Sequence, residues 1–141
     1  MRVVLDTSVL IAGIRSSSGA SRLLLELALN RSVEILISNA LVMEYEAVLT
    51  RPEHLLASGL IAEDIKELLD ALCGVARLVP IHQQWRPLLD DPDDEMVLEA
   101  AINGHAEAIV TFNKSDFLPE TPRHGIWVLS PGEILERIKI V

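Results

Sequence analysis

Apolar residues follow two rhythms along this chain, and the two alternate. Short continuous apolar runs occupy residues 2–5, 34–37, 77–81, 108–111 and 126–129. Runs of that length without polar interruption predict strands buried on both faces, as in a parallel sheet. Between them, apolar residues recur at three- and four-residue intervals, the spacing of one helical face. Such a face is predicted over residues 20–30 through Leu23, Leu24, Leu27 and Ala28. A second follows residue 38 through Leu41, Val42, Tyr45, Val48 and Leu49. A third spans residues 62–75 through Ile65, Leu68, Leu69 and Leu72, and a fourth spans 93–103 through Met96, Val97, Ala100 and Ala101.

Punctuation fits this division. Residues 9–14 begin a helix or turn, and Ser16-Ser17-Ser18-Gly19 breaks it. Ser38 or Asn39 caps the helix after the second strand, and Arg51-Pro52 ends it. A short helical piece at 53–58 stops at Gly59. Gly104 follows the fourth helical face, where a left-handed cap is common. Residues 85–92 and 113–122 read as loops. Ser130 caps a final helix, with Pro131 at its first position and Glu133 at its third. Alternating strands and helices predict an α/β fold around a mostly parallel five-stranded sheet. At 141 residues the chain fits one domain, residues 1–141, with no repeat or linker.

Composition narrows the class. Half the residues are hydrophobic, enough for a sizeable core. The lone cysteine, Cys73, excludes an internal disulfide and a cysteine-rich zinc site, and its apolar setting predicts burial. Neither a signal peptide nor a membrane-length apolar run is evident, so a cytoplasmic protein is expected. The net charge of −9 argues against nucleic acid as a partner unless metal ions neutralise clustered carboxylates or a basic partner covers them.

Acidic residues gather where a parallel sheet places its chemistry, at the carboxyl ends of strands. Asp6 ends the first run, and a carboxylate there is costly to bury without a partner. Thr111, Asn113 and Asp116 follow the fourth. Asp90-Asp91-Pro92-Asp93-Asp94 leads into a helix, and Glu44 lies about a turn and a half into another. Carboxylates from separate elements suit hard cations such as Mg2+ or Mn2+. Each acid also has an ordinary reading: Asp6 as a helix cap, Glu44 as an exposed helix acid, the 90–94 cluster as a dipole-favoured N-terminus, Asp116 as a turn residue. Thr7, Ser8 and Thr111 either bond backbone or position water or a ligand.

Together these segments resemble the PIN domain family. Val3-Val4-Leu5-Asp6-Thr7-Ser8-Val9-Leu10 is similar to its first strand and metal-binding acid. The segment from Ser38 to Tyr45 resembles the helix with its second acid, at Glu44. The segment from Asp91 to Ala101 resembles the third, with Asp94 favoured because Val97, Leu98 and Ala101 then face the helix packing. Asp91 and Asp93 are the other acids there, and Asp91 could assist. The segment from Ile109 to Phe117 resembles the closing motif; Asn113 stands where many members carry Asp, which leaves Asp116 as the fourth acid.

The resemblance implies a three-layer α/β/α fold with strand order 3-2-1-4-5. It implies a Mg2+- or Mn2+-dependent endoribonuclease, in the branch of toxin–antitoxin toxins. It assigns metal binding to Asp6, Glu44, Asp94 and Asp116, with Thr7, Ser8, Asp91, Thr111 and Asn113 in support. It also implies a homodimer and an antitoxin that covers the active site. Arg15, Arg22 and Lys114 are candidates for RNA phosphate contacts, against the plainer reading of solvated charge. The apolar positions from 55 to 72 supply either an interface or core. A catalytically silent binding module on the same fold, or an α/β phosphotransfer protein, are the rival functions. A second Asp two residues after Asp6, wanted by one phosphotransfer class, is Ser8 here.

Overall fold

The computed structural model describes residues 1–81 and 89–138. Five strands form one sheet in the order β3-β2-β1-β4-β5. They are β1 (Arg2–Leu5), β2 (Glu34–Ile37), β3 (Arg77–Leu78), β4 (Ala108–Val110) and β5 (Trp127–Leu129). Every pairing is parallel, with Val3 opposite both Ile35 and Ala108. Helices flank the sheet, giving the α/β/α arrangement of a PIN-like fold. The continuous apolar runs mark burial: Val3, Val4, Ile35, Leu36, Ala108, Ile109 and Val110 are enclosed. The edges differ, since both residues of β3 and Trp127 of β5 are exposed.

Strand order reverses at β1. The chain steps outward through β2 to β3, then returns to β4 on the other side. Right-handed crossovers then put the two groups of connecting helices on opposite faces. The first group is α1 (Thr7–Arg15), α2 (Ala20–Leu29), α3 (Asn39–Leu49), α4 (Pro52–Ser58) and α5 (Ala62–Val75). The return helix, α6 (Pro92–Asn103), lies along β1, β2 and β4. The chain closes with a 3-10 turn (Lys114–Phe117), α7 (Glu120–Arg123) and α8 (Pro131–Ile138), which packs on β5 and α2. The gap between the carboxyl ends of β1 and β4 is the switch point where open α/β sheets hold ligands.

Several expectations are corrected. The third strand is two residues long rather than 77–81; Val79 adds one bond to Ile37, and Pro80, which has no N–H, ends the ladder. The loop at 113–122 contains the 3-10 turn and α7. Trp85 and Pro87, from the loop expected at 85–92, lie outside the described residues. Leu23 is exposed and Leu25 is buried in its place, because α2 turns Leu25 toward Gly13 of α1. Cys73 is exposed: it lies about 100° round α5 from Leu72, beside the inward line of Ile65, Leu69 and Leu72. Gly104 is not left-handed (φ −90°); His105 is, at φ 53°. A Cβ on Gly104 would stand 2.8 Å from Leu36, 2.9 Å from Val79 and 2.9 Å from the Ala100 carbonyl, so close packing selects the glycine. Gly59 does cap α4 left-handedly, at φ 75°.

Candidate active site

Asp6 occupies the N-cap position of α1, yet its side chain makes no capping bond. It is 7% exposed, and its Oδ2 accepts from Ser8 Oγ at 2.8 Å and Thr111 Oγ1 at 2.7 Å. Ser8 comes from α1 and the fully buried Thr111 from the end of β4, so the carboxylate is gripped across the switch point. Both hydroxyls accept in turn from backbone: Ser8 from Phe112 N at 3.3 Å, Thr111 from Asn113 N at 2.9 Å. Charge-assisted bonds of this kind are the strong ones and hold Asp6 in a single orientation. Thr7 opens α1 half-buried, and its hydroxyl is not among those that reach Asp6.

The return helix brings a second set of acids to the same place. Asp91 caps α6, its Oδ1 accepting from Asp93 N at 2.9 Å. Asp94, half-buried, is pushed up to about 7 by burial and by the charges of Asp6, Asp91, Asp116 and Asp93. Asp116 is exposed on the 3-10 turn. A cleft of about 390 Å3 has Asp90, Asp91, Asp94, Ser115 and Asp116 in its wall. Asp6, Asp94 and Asp116 thus form one electrostatic group, to which Asp91 adds charge while serving as a cap. Asp94 is the group that the other acids most disturb.

Glu44 reaches the cluster by another route. Burial and then Asp93, which shares a hydrogen bond with it, push its carboxyl up, with Asp91 adding to the effect; Arg51 opposes. The next residue, Tyr45, is enclosed, and its hydroxyl donates to the Leu5 carbonyl immediately before Asp6. Burial first, and then Asp6, drive that phenol well above its usual range, so it remains a donor. This bond ties α3, and Glu44 with it, to the end of β1. Sequence reasoning took Tyr45 as core and missed its hydroxyl; the signal was a polar atom on an otherwise apolar helical face. It likewise missed Glu95, which is buried and accepts from Leu89 N, Asp93 as the partner of Glu44, and Arg51 beside it.

The three cations suggested for phosphate contacts are all engaged elsewhere. Arg15, at the far end of α1, bonds His54 at 3.0 Å. Arg22 pairs with Glu26 at 3.5 Å. Lys114 bridges to Glu133, and that bond with the Ser130 cap holds the Glu133 carboxyl down to about 2.

The donor set is oxygen throughout, which suits a hard divalent cation. The negative charge that adds to burial in raising Asp94 is charge that such an ion would offset. Among the described residues, no three Asp, Glu, His or Cys side chains converge tightly enough to form a ready metal-binding group. An ion held here by these acids would need water to complete its shell, as Mg2+ commonly does.

A parallel sheet with this order and acids at its switch point defines an α/β/α protein with an acidic site at the carboxyl ends of its strands. A family model described as PIN domain matches residues 2–115, most of the chain, and the protein belongs to that family. Members are generally nucleases and typically use divalent metals. The match takes in Asp6, Glu44, Asp94, Thr111 and Asn113 and ends one residue before Asp116. A comparison with curated proteins gives no match.

Proposed function

We propose that this protein is a Mg2+- or Mn2+-dependent endoribonuclease, with Asp6, Glu44, Asp94 and Asp116 as its metal-binding acids. The observation that carries the reading is the buried Asp6 carboxylate, held by Ser8 and Thr111 at the switch point and facing Asp94 and Asp116. A divalent ion bound there supplies an acidified water and offsets charge on the phosphate being cleaved. The chain's own part is positioning. Ser8 and Thr111 fix Asp6, Tyr45 fixes the helix of Glu44, and the Asp91 cap fixes the first turn that carries Asp94. Asn113, exposed beside Thr111, is available to hydrogen-bond substrate.

The role we favour is the toxin of a toxin–antitoxin pair, a cytoplasmic homodimer restrained by an antitoxin over the acidic cleft. The support is the resemblance of the four motifs, and a net charge of −9 that suits a basic partner. No described helix is long and apolar enough to cross a membrane. A metal-binding but silent module is the second reading, favoured by the looseness of the acid cluster. The test is cleavage of labelled structured RNA with Mg2+ or Mn2+, with EDTA, and by Asp6→Asn. Metal-dependent cutting that Asp6→Asn lowers at least 100-fold supports the nuclease. Metal binding by a folded protein that cuts none of several RNAs would support the silent module.

A further inference from the structure

Phe112 is 54% exposed, in a chain with only two Phe, two Trp and one Tyr. It follows Thr111, two residues beyond the end of β4, at a bend in the chain. Thr111 is buried and turned to Asp6; Phe112 is turned out. The ring has no place in the core. Its backbone is nevertheless held firmly. Two hydrogen bonds in series, of 3.3 and 2.8 Å through Ser8 Oγ, link the Phe112 nitrogen to the Asp6 carboxylate. The nitrogen of the next residue, Asn113, is bonded to Thr111 Oγ1, the other hydroxyl on that carboxylate. An exposed aromatic is thus mounted on the same two hydroxyls that hold the central acid.

The surrounding charge gives this ring a use. Arg15, Arg22 and Lys114 are each engaged with a neighbour, and the cleft wall is acidic. Arg51 lies beside Glu44, but the acids of the cleft outnumber it, so phosphate neutralisation, the usual source of nucleic-acid affinity, is limited here. A flat apolar face supplies affinity without cations, because every nucleobase has a π-face. In a duplex those faces are covered by neighbouring bases; in loops and single strands they are free. Resting on the nuclease reading above, we infer that Phe112 stacks on a nucleobase next to the phosphate presented to Asp6, and so helps to set which nucleotide that site accepts. Phe112 is then a specificity-determining residue and leaves the chemical step to the acids.

The experiment uses the full chain and a short oligoribonucleotide carrying 2-aminopurine, alone or annealed to its complement. Stopped-flow fluorescence with Mg2+ or Mn2+ reads stacking before cleavage, and gel analysis reads the products. The expected result is quenching by wild type, cleavage of the single strand at least about 10-fold faster than of the duplex, and loss of quenching in Phe112→Ala. That variant should raise KM by about 5- to 100-fold with little change in kcat, Phe112→Trp should restore it, and neither should change Tm. Absence of quenching by wild type, equal quenching by Phe112→Ala, or equal cutting of duplex would overturn the stacking role. If wild type fails to cleave any RNA, the nuclease reading falls, while the quenching comparison still decides whether Phe112 stacks on a base.

Discussion

From the sequence Asp6 is a helix cap or, as the cost of burying its carboxylate favours, a functional acid, and its hydrogen bonds decide between them. A capping carboxylate accepts from the backbone of the first helical turn; this one accepts two hydroxyls, one of them 105 residues away. Asp91 shows the opposite outcome, with an ordinary cap bond. These assignments lead to two expectations. Thr111→Val keeps the shape but removes a donor to Asp6; RNA cleavage should fall about 10- to 100-fold, as for other groups that orient metal-binding side chains, with stability lower by about 1–2 kcal/mol. Tyr45→Phe removes only the bond to Leu5 O, for a loss of about 1 kcal/mol and a Tm lower by a few degrees in thermal melts. An unchanged Tm in Tyr45→Phe would show that the hydroxyl does not tie α3 to β1. The hydroxyls of Ser8 and Thr111 were legible as candidates beside Asp6, but the sequence could not separate Ser8 from Thr7, because the choice depends on which way α1 turns.

At the scale of elements, the central strands were legible because burial on both faces demands continuous apolar runs. The edge strand β3 was legible in place but not in length, since it is exposed and its extent depends on where Pro80 interrupts pairing. The final helix was the clearest case: Ser130 N donates to Glu133 Oε1 at 3.0 Å and Glu133 N to Ser130 Oγ at 3.2 Å, the expected capping box. Glycines tell a different story, because their reason lies in a neighbouring element. A Cβ at Gly13 would come within 2.4 Å of Leu25 Cδ1, the end of a movable side chain. At Gly104 the obstacles include a backbone carbonyl that cannot step aside. Gly104→Ala should therefore cost about 1–3 kcal/mol by denaturant unfolding, and more than Gly13→Ala. The reverse ranking would show that α6 and β2 pack less rigidly than α1 and α2.

For the molecule as a whole, the dominant feature is an excess of negative charge, −9 overall, part of which is clustered at the carboxyl ends of the strands. Asp94 is raised from its ordinary 3.8 to about 7 in the fold. The native state therefore holds its proton more tightly than the unfolded chain does. The stability this confers is fully present below about pH 4 and is lost as pH rises through 7. In EDTA, Asp94→Asn should melt higher than wild type at pH 8, by about 1 kcal/mol once solvent screening is allowed for, and the difference should vanish near pH 4. Mg2+ or Mn2+ should raise the wild-type Tm at pH 8 and do less for Asp94→Asn. A pH-independent gap between the two proteins would mean that Asp94 is not under the strain of its neighbours. The same charge predicts that RNA affinity declines less steeply with salt than for a basic nucleic-acid-binding protein.

By itself the sequence determined where the five strands and the longer helices lie, because apolar periodicity reports burial directly, and which acids stand at strand ends, because those positions are local. Tertiary structure alone decided how the acids divide. Asp94 answers to its burial and then to Asp6, Asp91 and Asp116, Glu44 to its burial and then to Asp93, while the Asp91 side chain caps its own helix. It also turned Cys73 and Leu23 outward, freed Phe112 from the core, and engaged Arg15, Arg22 and Lys114 with neighbours. Each of these depends on the rotation of a helix or the end of a turn relative to a distant element. A one-residue rotation of about 100° moves a side chain from cleft to solvent while leaving the apolar pattern nearly unchanged.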